Sequence, residues 1–204
     1  MDVAPEIVAL ASRAYARGWV LGTSGNFSAV TGTDPLRLAI TESGVDKGRL
    51  GADQILEIDA ESRPLGDAKP SAESLLHLAV VRACGAGAVA HTHSTWSTLL
   101  SERHAGEGGL AIEGYEMLKG LAGVTTHAHR EWLPIIENSQ NWPREKDNVE
   151  RMLRGSPGAH AFLIRRHGLY TWGKDVAETS RHLEILEFLL EAVARSEGSG
   201  RWQA

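Results

Sequence analysis

The chain has 204 residues, with 21 Lys and Arg against 26 Asp and Glu, nine His, 22 Gly and a single Cys. A net charge of -5 argues against broad charge-driven binding to nucleic acid or anionic membranes, and lone Cys84 excludes an intramolecular disulfide framework or a cysteine-rich zinc ribbon. The acidic start Met1-Asp2-Val3-Ala4-Pro5-Glu6 lacks a signal peptide's basic and apolar regions, and no run approaches the roughly 20 apolar residues of a membrane span, so a cytoplasmic location is expected.

The first predicted element is an amphipathic helix over 5–17, with Ile7, Leu10, Ala11 and Ala14 on one face and Gly18 closing it. Gly22 to Thr31 reads as a tight turn leading into a strand, Leu36 to Ile40 as a second strand and 54–58 as a third. A polar turn follows through Arg63-Pro64-Leu65-Gly66. Ser71 is positioned to cap a helix over 72–84 whose apolar side is Leu75, Leu76, Val80 and Ala83. Gly87 to His91 reads as a buried strand, then come a helix near 95–101, a Gly-rich loop at 105–109 and a polar helix or loop around Glu116. Trp132 to Ile136 predicts a strand, 145–154 a helix, Ala161 to Arg165 a strand and Asp175 to Arg195 a long helix. No repeat or linker divides the chain, so one catalytic domain over 1–195 with a frayed tail at 196–204 is expected.

His91-Thr92-His93 is the sharpest local feature. Residues two apart on a strand share a face, so both imidazoles can converge on one cation. His167, between an apolar strand and Gly168, has the context of a third ligand; three protein ligands leave room for substrate or water. His77 and His182 sit on helices and are read as core or helix-face residues. His127 and His129 repeat the spacing in a polar stretch and form a lesser candidate, while His104 and His160 have no motif context. Cys84 is read as a small core residue.

Ser24-Gly25-Asn26, Thr41-Glu42-Ser43-Gly44 and Lys69-Pro70-Ser71 each offer hydroxyls or backbone N–H groups beside a turn, chemistry that can cradle a phosphate. Singly, each is an ordinary turn or cap. Their order ahead of the histidine pair changes that.

Taken together, Gly25-Asn26-Phe27-Ser28, Thr41-Glu42-Ser43-Gly44, Pro70-Ser71-Ala72-Glu73, His91-Thr92-His93-Ser94 and His167-Gly168 resemble the class II aldolase and adducin superfamily, which includes L-fuculose-phosphate aldolase and L-ribulose-phosphate 4-epimerase. Glu116 to Gly120, Leu133 to Gln140 and Arg181 to Glu187 are similar to its methylthioribulose-1-phosphate dehydratase branch, from methionine salvage. The resemblance implies an α/β fold, a single-domain α/β/α sandwich around a mostly antiparallel sheet, and a homotetramer with one zinc per subunit. It implies that His91, His93 and His167 hold the metal. Ser24, Gly25, Asn26, Thr41, Ser43, Gly44, Lys69 and Ser71 become the phosphate contacts. Two carboxylates compete for acid/base work: Glu116, where the dehydratases carry it, is preferred, and Glu73, where aldolases carry theirs, is left as auxiliary. The implied reaction is dehydration of a small-molecule sugar phosphate, 5-methylthioribulose 1-phosphate. The rivals are a sugar-phosphate aldolase or 4-epimerase and a non-enzymatic adducin-like interaction domain.

Overall fold

The computed structural model describes residues 3–67, 69–139 and 141–199. Among the described residues eight strands form one sheet: β1 (Asn26–Thr33), β2 (Leu36–Thr41), β3 (Ile55–Asp59), β4 (Ala88–Thr92), β5 (Gly109–Glu113), β6 (Arg130–Ile136), β7 (Ala161–Ile164) and β8 (Gly168–Gly173). Their spatial order is β3-β2-β1-β4-β8-β7-β6-β5, and every neighbouring pair is antiparallel except β6 and β7. The helices are α1 (Ala4–Ala16), α2 (Ser74–Cys84), α3 (Thr95–Arg103), α4 (Trp142–Arg154) and α5 (Val176–Ser199).

Strand alternation sorts the side chains into two layers. Phe27, Ala29, Ala88, Ala90, Leu163 and Leu169 face α1 and α5, meeting Ile7, Leu10, Leu186 and Leu190. Val89, Phe162, Ile164 and Trp172 face the other way, onto Leu76 and Val80 of α2 and Val149 and Leu153 of α4. The expected α/β/α sandwich around a mostly antiparallel sheet is what the chain forms. No helix among the described residues is long and apolar enough to cross a membrane.

Several boundaries differ from the sequence reading. Helix α2 starts at Ser74, because Ser71 serves a tight turn instead of capping the helix: its Oγ accepts Glu73 N–H at 3.3 Å and its carbonyl accepts Ser74 N–H at 3.1 Å. Strand β5 begins at Gly109, the last residue of the Gly-rich segment read as loop, and β8 has a glycine at each end that hides its period. Cys84 is exposed, because the last residue of α2 turns away from the sheet. Helix α5 continues to Ser199, while residues 200–204 of the expected tail, and Gln140, lie outside the described residues.

Candidate active site

Neighbouring strands β1, β4 and β8 bring the site together. His91 is on β4 and His93 just beyond it, so the period-two spacing puts both rings on the α2 side of the sheet. His167 ends the three-residue turn between β7 and β8, where Ile164 pairs with Gly168. Arg166 in that turn takes a left-handed backbone (φ +53), held by Ser101 Oγ on its N–H at 3.0 Å and by Glu102 on its guanidinium at 2.5 Å. Thr98 donates to the His167 carbonyl at 3.1 Å. Gly168 allows the close approach, since a Cβ there would overlap the Thr92 carbonyl oxygen.

The three Nε2 atoms point at one another: His91 to His93 at 2.8 Å, His93 to His167 at 3.0 Å and His91 to His167 at 3.3 Å. Glu73, on the turn before α2, sets Oε2 at 3.4 Å from His91 Nε2 and Oε1 at 3.3 Å from His167 Nε2. All four ligand atoms lie within 4.8 Å of one another. His91 Nδ1 donates to the Leu169 carbonyl at 3.0 Å, so its Nε2 carries the lone pair. Burial drives all three imidazoles toward the neutral form: His91 well below its usual value, His93 to about 4, and His167 downward despite the nearby charge of Glu73. Three neutral imidazole nitrogens facing one another have too few protons to hydrogen-bond mutually, whereas one divalent cation satisfies all three. Nitrogen donors with an adjoining carboxylate are the donor chemistry of such an ion. The residues fit a metal.

A second tier orients Glu73. Asn26 Nδ2 donates to its Oε2 at 2.9 Å, the Asn26 amide oxygen accepts from His77 Nε2, and His77 Nδ1 accepts from Ser28 Oγ at 2.7 Å. Full burial pushes His77 down to about 3, so it stays neutral, with one proton for one acceptor. Tyr170 stacks on His91 with ring centroids 4.0 Å apart. Burial, and then the charge of Glu73, push its phenol well above the usual range.

Beside the histidines lies a cleft of about 150 Å³ lined by Thr23, Ser24, Gly25, Asn26, Glu42, Ser43, Gly44, Lys47, Ser71, Glu73 and His93. Six of the eight expected phosphate residues therefore share it. Thr41 and Lys69 do not: Thr41 is buried with its Oγ1 accepting Phe27 N–H at 3.2 Å, and Lys69 borders a neighbouring groove with Ser62 and Trp142. Gly25 has φ +71 and passes so close beneath β4 that a Cβ would meet the His91 carbonyl oxygen at 2.7 Å.

Lys47 occupies the cleft, and the sequence reading missed it. It is only 1% exposed, and two of its ammonium donors go to the carbonyls of Val45 (2.8 Å) and Thr23 (3.3 Å), leaving the third for the cleft. Burial lowers its pKa to about 8, which keeps it mostly charged at neutral pH. The available signal was a lysine three residues after Gly44 of the Ser43-Gly44 turn.

Glu116 is elsewhere. It opens a 3₁₀ turn (Glu116–Gly120), its side chain is 71% exposed, and it pairs with Lys119 and, at 3.8 Å, with His127. The Lys119 hydrogen bond holds its carboxyl below the usual range. His127 and His129 do not join the histidine trio, and His104 pairs with Glu107 and Glu197.

The family model for class II aldolase and adducin N-terminal domains matches residues 5–194. A methylthioribulose-1-phosphate dehydratase of Sorangium cellulosum is 44% identical over 97% of this chain and 93% of its own length. Another, of Methylococcus capsulatus, is 48% identical over 91% of this chain and 89% of its own. The crystal structure of L-fuculose-1-phosphate aldolase from Thermus thermophilus shares the fold, with a TM-score of 0.79 at 23% identity over 100% of both chains.

Proposed function

This chain belongs to the class II aldolase and adducin family, and from that premise we propose that it removes water from 5-methylthioribulose 1-phosphate to give 2,3-diketo-5-methylthiopentyl 1-phosphate, a hydro-lyase step of methionine salvage. The observation that carries the reading is three neutral imidazoles and one carboxylate converging at the edge of a hydroxyl-rich cleft that holds a lysine. The substrate's identity comes from the named activity of the relatives. A cytoplasmic homotetramer carrying one zinc per subunit belongs to the same proposal.

The chemical difficulty is the C3 proton, which is not acidic until the neighbouring C2 carbonyl is polarised. A zinc ion held by His91, His93 and His167 supplies that polarisation when bound. The chain's own groups do the rest. Lys47 and the Ser24, Gly25, Ser43, Gly44 and Ser71 turns hold the phosphate, which fixes C3 and C4 relative to the carboxylate. Glu73, aimed by Asn26, takes the C3 proton. The C4 hydroxyl takes a proton from an acid and leaves as water; Glu73 then returns the proton it took to C4 as the C3 hydroxyl loses its own, which turns the C3–C4 enol into the ketone. Glu116 stands outside the cleft of its own chain. The acid role the resemblance gives it therefore requires a second copy in the tetramer to carry it over the cleft.

Glu73 beside the metal ligands is also what an aldolase would use, so the test must separate the two. Purified protein of known metal content is incubated with 5-methylthioribulose 1-phosphate and, separately, with fuculose and ribulose phosphates. Diketone formation from the first supports the dehydratase. Aldehyde release from the others without diketone makes the chain an aldolase, and no turnover at full metal occupancy favours an interaction domain.

A further inference from the structure

A second cluster lies at the opposite end of β7 from His167. Glu131, the second residue of β6, is 1% exposed. Its Oε1 accepts the His160 backbone N–H at 2.9 Å, and its Oε2 lies 3.0 Å from His160 Nδ1 and 2.8 Å from His129 Nε2. His160 immediately precedes β7, and His129 is the residue before β6. The parallel β6–β7 ladder has rungs only at Ile135–Leu163 and Ile136–Ile164, so this cluster ties the strands where their ladder is missing.

The protons decide what the cluster can be. His160 Nε2 faces the Ala122 carbonyl at 2.8 Å, and a carbonyl only accepts, so Nε2 carries a hydrogen. The Ala122 peptide is itself clamped, its N–H donating to His182 Nε2 at 3.0 Å while His182 Nδ1 donates to the Trp172 carbonyl at 2.6 Å. A neutral His160 therefore turns a lone pair at Nδ1 toward a carboxylate oxygen, which is repulsive unless something positive lies between them. This is the arrangement by which an outer hydrogen bond fixes an imidazole as a ligand. His129 Nε2 approaches the same oxygen from the solvent side. All three ligand atoms lie within 4.8 Å of one another, beside a cleft of about 360 Å³ lined by the 155–159 turn and Trp132.

We propose that His129 Nε2, His160 Nδ1 and the Glu131 carboxylate form a second site for a divalent cation of the zinc class, open on its cleft side to water or an anionic ligand. Two imidazoles and one carboxylate match the ligand type and number of an open zinc site, and burial of Glu131 suits a charge that needs a fixed counter-ion. Bound there, the cation pins the start of β6 to the start of β7. The competing occupant is a proton, which would make His160 an imidazolium paired with Glu131.

The test counts metal. Metal-free full-length protein is equilibrated with zinc at low micromolar free concentration, and bound zinc per chain is measured. Wild type should hold two equivalents, His129→Ala one, the double variant His91→Ala/His93→Ala one, and the triple variant none. His129 is on the rim, so its removal leaves the buried Glu131–His160 pair intact, and His160→Gln provides an independent second variant. Saturation with zinc should also raise the melting temperature of the His91→Ala/His93→Ala protein by several degrees, and that rise should vanish with His129→Ala. One equivalent in wild type, or a second equivalent that survives in both His129→Ala and His160→Gln, overturns the proposal. The first result leaves the proton as the occupant.

Discussion

Asn26 and Glu73 meet across 2.9 Å although 47 positions separate them, the amide donating and the carboxylate accepting. The amide cannot be reversed without breaking a second bond, because its oxygen accepts from His77, whose other nitrogen accepts from Ser28. Ser28 touches neither the cleft nor the histidine trio, so it acts only through this relay. Ser28→Ala should leave a buried imidazole lone pair unmatched, a cost of about 1–3 kcal/mol in stability. It should lower kcat several-fold while KM and bound metal stay near wild type. An unchanged kcat in a protein destabilised by that amount would show that the relay stabilises the fold without aiming Glu73.

The two candidate carboxylates separate cleanly by mutation. Glu73→Gln keeps the shape and the Asn26 contact but cannot take a proton, so kcat should fall by at least about a hundredfold with metal content matched. Glu116→Gln in a chain acting alone should be nearly silent, because Glu116 is exposed and paired with Lys119. If Glu116 serves a neighbouring copy's cleft, its glutamine variant should be equally inactive. Mixed oligomers of Glu116→Gln with His91→Ala chains should then regain activity neither parent has. Loss of activity in Glu116→Gln without recovery in the mixture would place Glu116 in some other role.

Lys47 carries the phosphate prediction. Lys47→Met keeps the length and removes the only cation lining the cleft among the described residues. KM for the phosphorylated substrate should rise by tenfold or more with zinc content unchanged, and dephosphorylated substrate should respond little. Equal losses for both substrates would mean that Lys47 supports the loop and does not bind phosphate.

What the sequence made legible follows from local rules. The period of a strand was enough to pair His91 with His93, and Gly168 marked the place where His167 could approach them. The Ser24–Asn26, Ser43–Gly44 and Ser71 segments were readable as turns with donors, and the fold gathers them in one cleft. Lys47 was not legible, because a lysine in a polar turn is ordinarily solvated and only the meeting of residues 23 and 45 around its ammonium buries it. Glu131 and His160 were invisible for a similar reason: the side chains sit 29 residues apart and meet only because the fold brings the starts of β6 and β7 together, outside their short ladder. Glu116 shows the opposite case. Its segment is recognisable in the sequence, yet the chain alone places it on the surface.

Glu187 sets the last prediction, on pH and stability. It lies on α5, 2% exposed, with Oε1 accepting from Thr92 Oγ1 at 2.8 Å, Ser94 beside the same carboxylate, and Oε2 buried with no partner within hydrogen-bond distance among the described residues. Thr92 sits between His91 and His93, so this contact anchors the strand end that carries both ligands. Burial raises the Glu187 carboxyl from its ordinary 4.5 to about 7. The folded chain thus holds this proton more tightly than the unfolded chain, and between those values it binds more protons. Stability from this group is complete below about pH 4.5, declines as pH rises through the window, and is fully lost above about 7. At 1.36 kcal/mol per unit the loss is roughly 3 kcal/mol. Glu187→Gln retains an acceptor for Thr92 and cannot ionise, so its stability should lack this decline. Urea unfolding of metal-saturated protein at pH 5 and pH 8 should show the variant gaining on wild type by about one to three kcal/mol at the higher pH. Parallel stability profiles for the two proteins would mean that Glu187 keeps its charge in the folded chain and that something positive lies against Oε2.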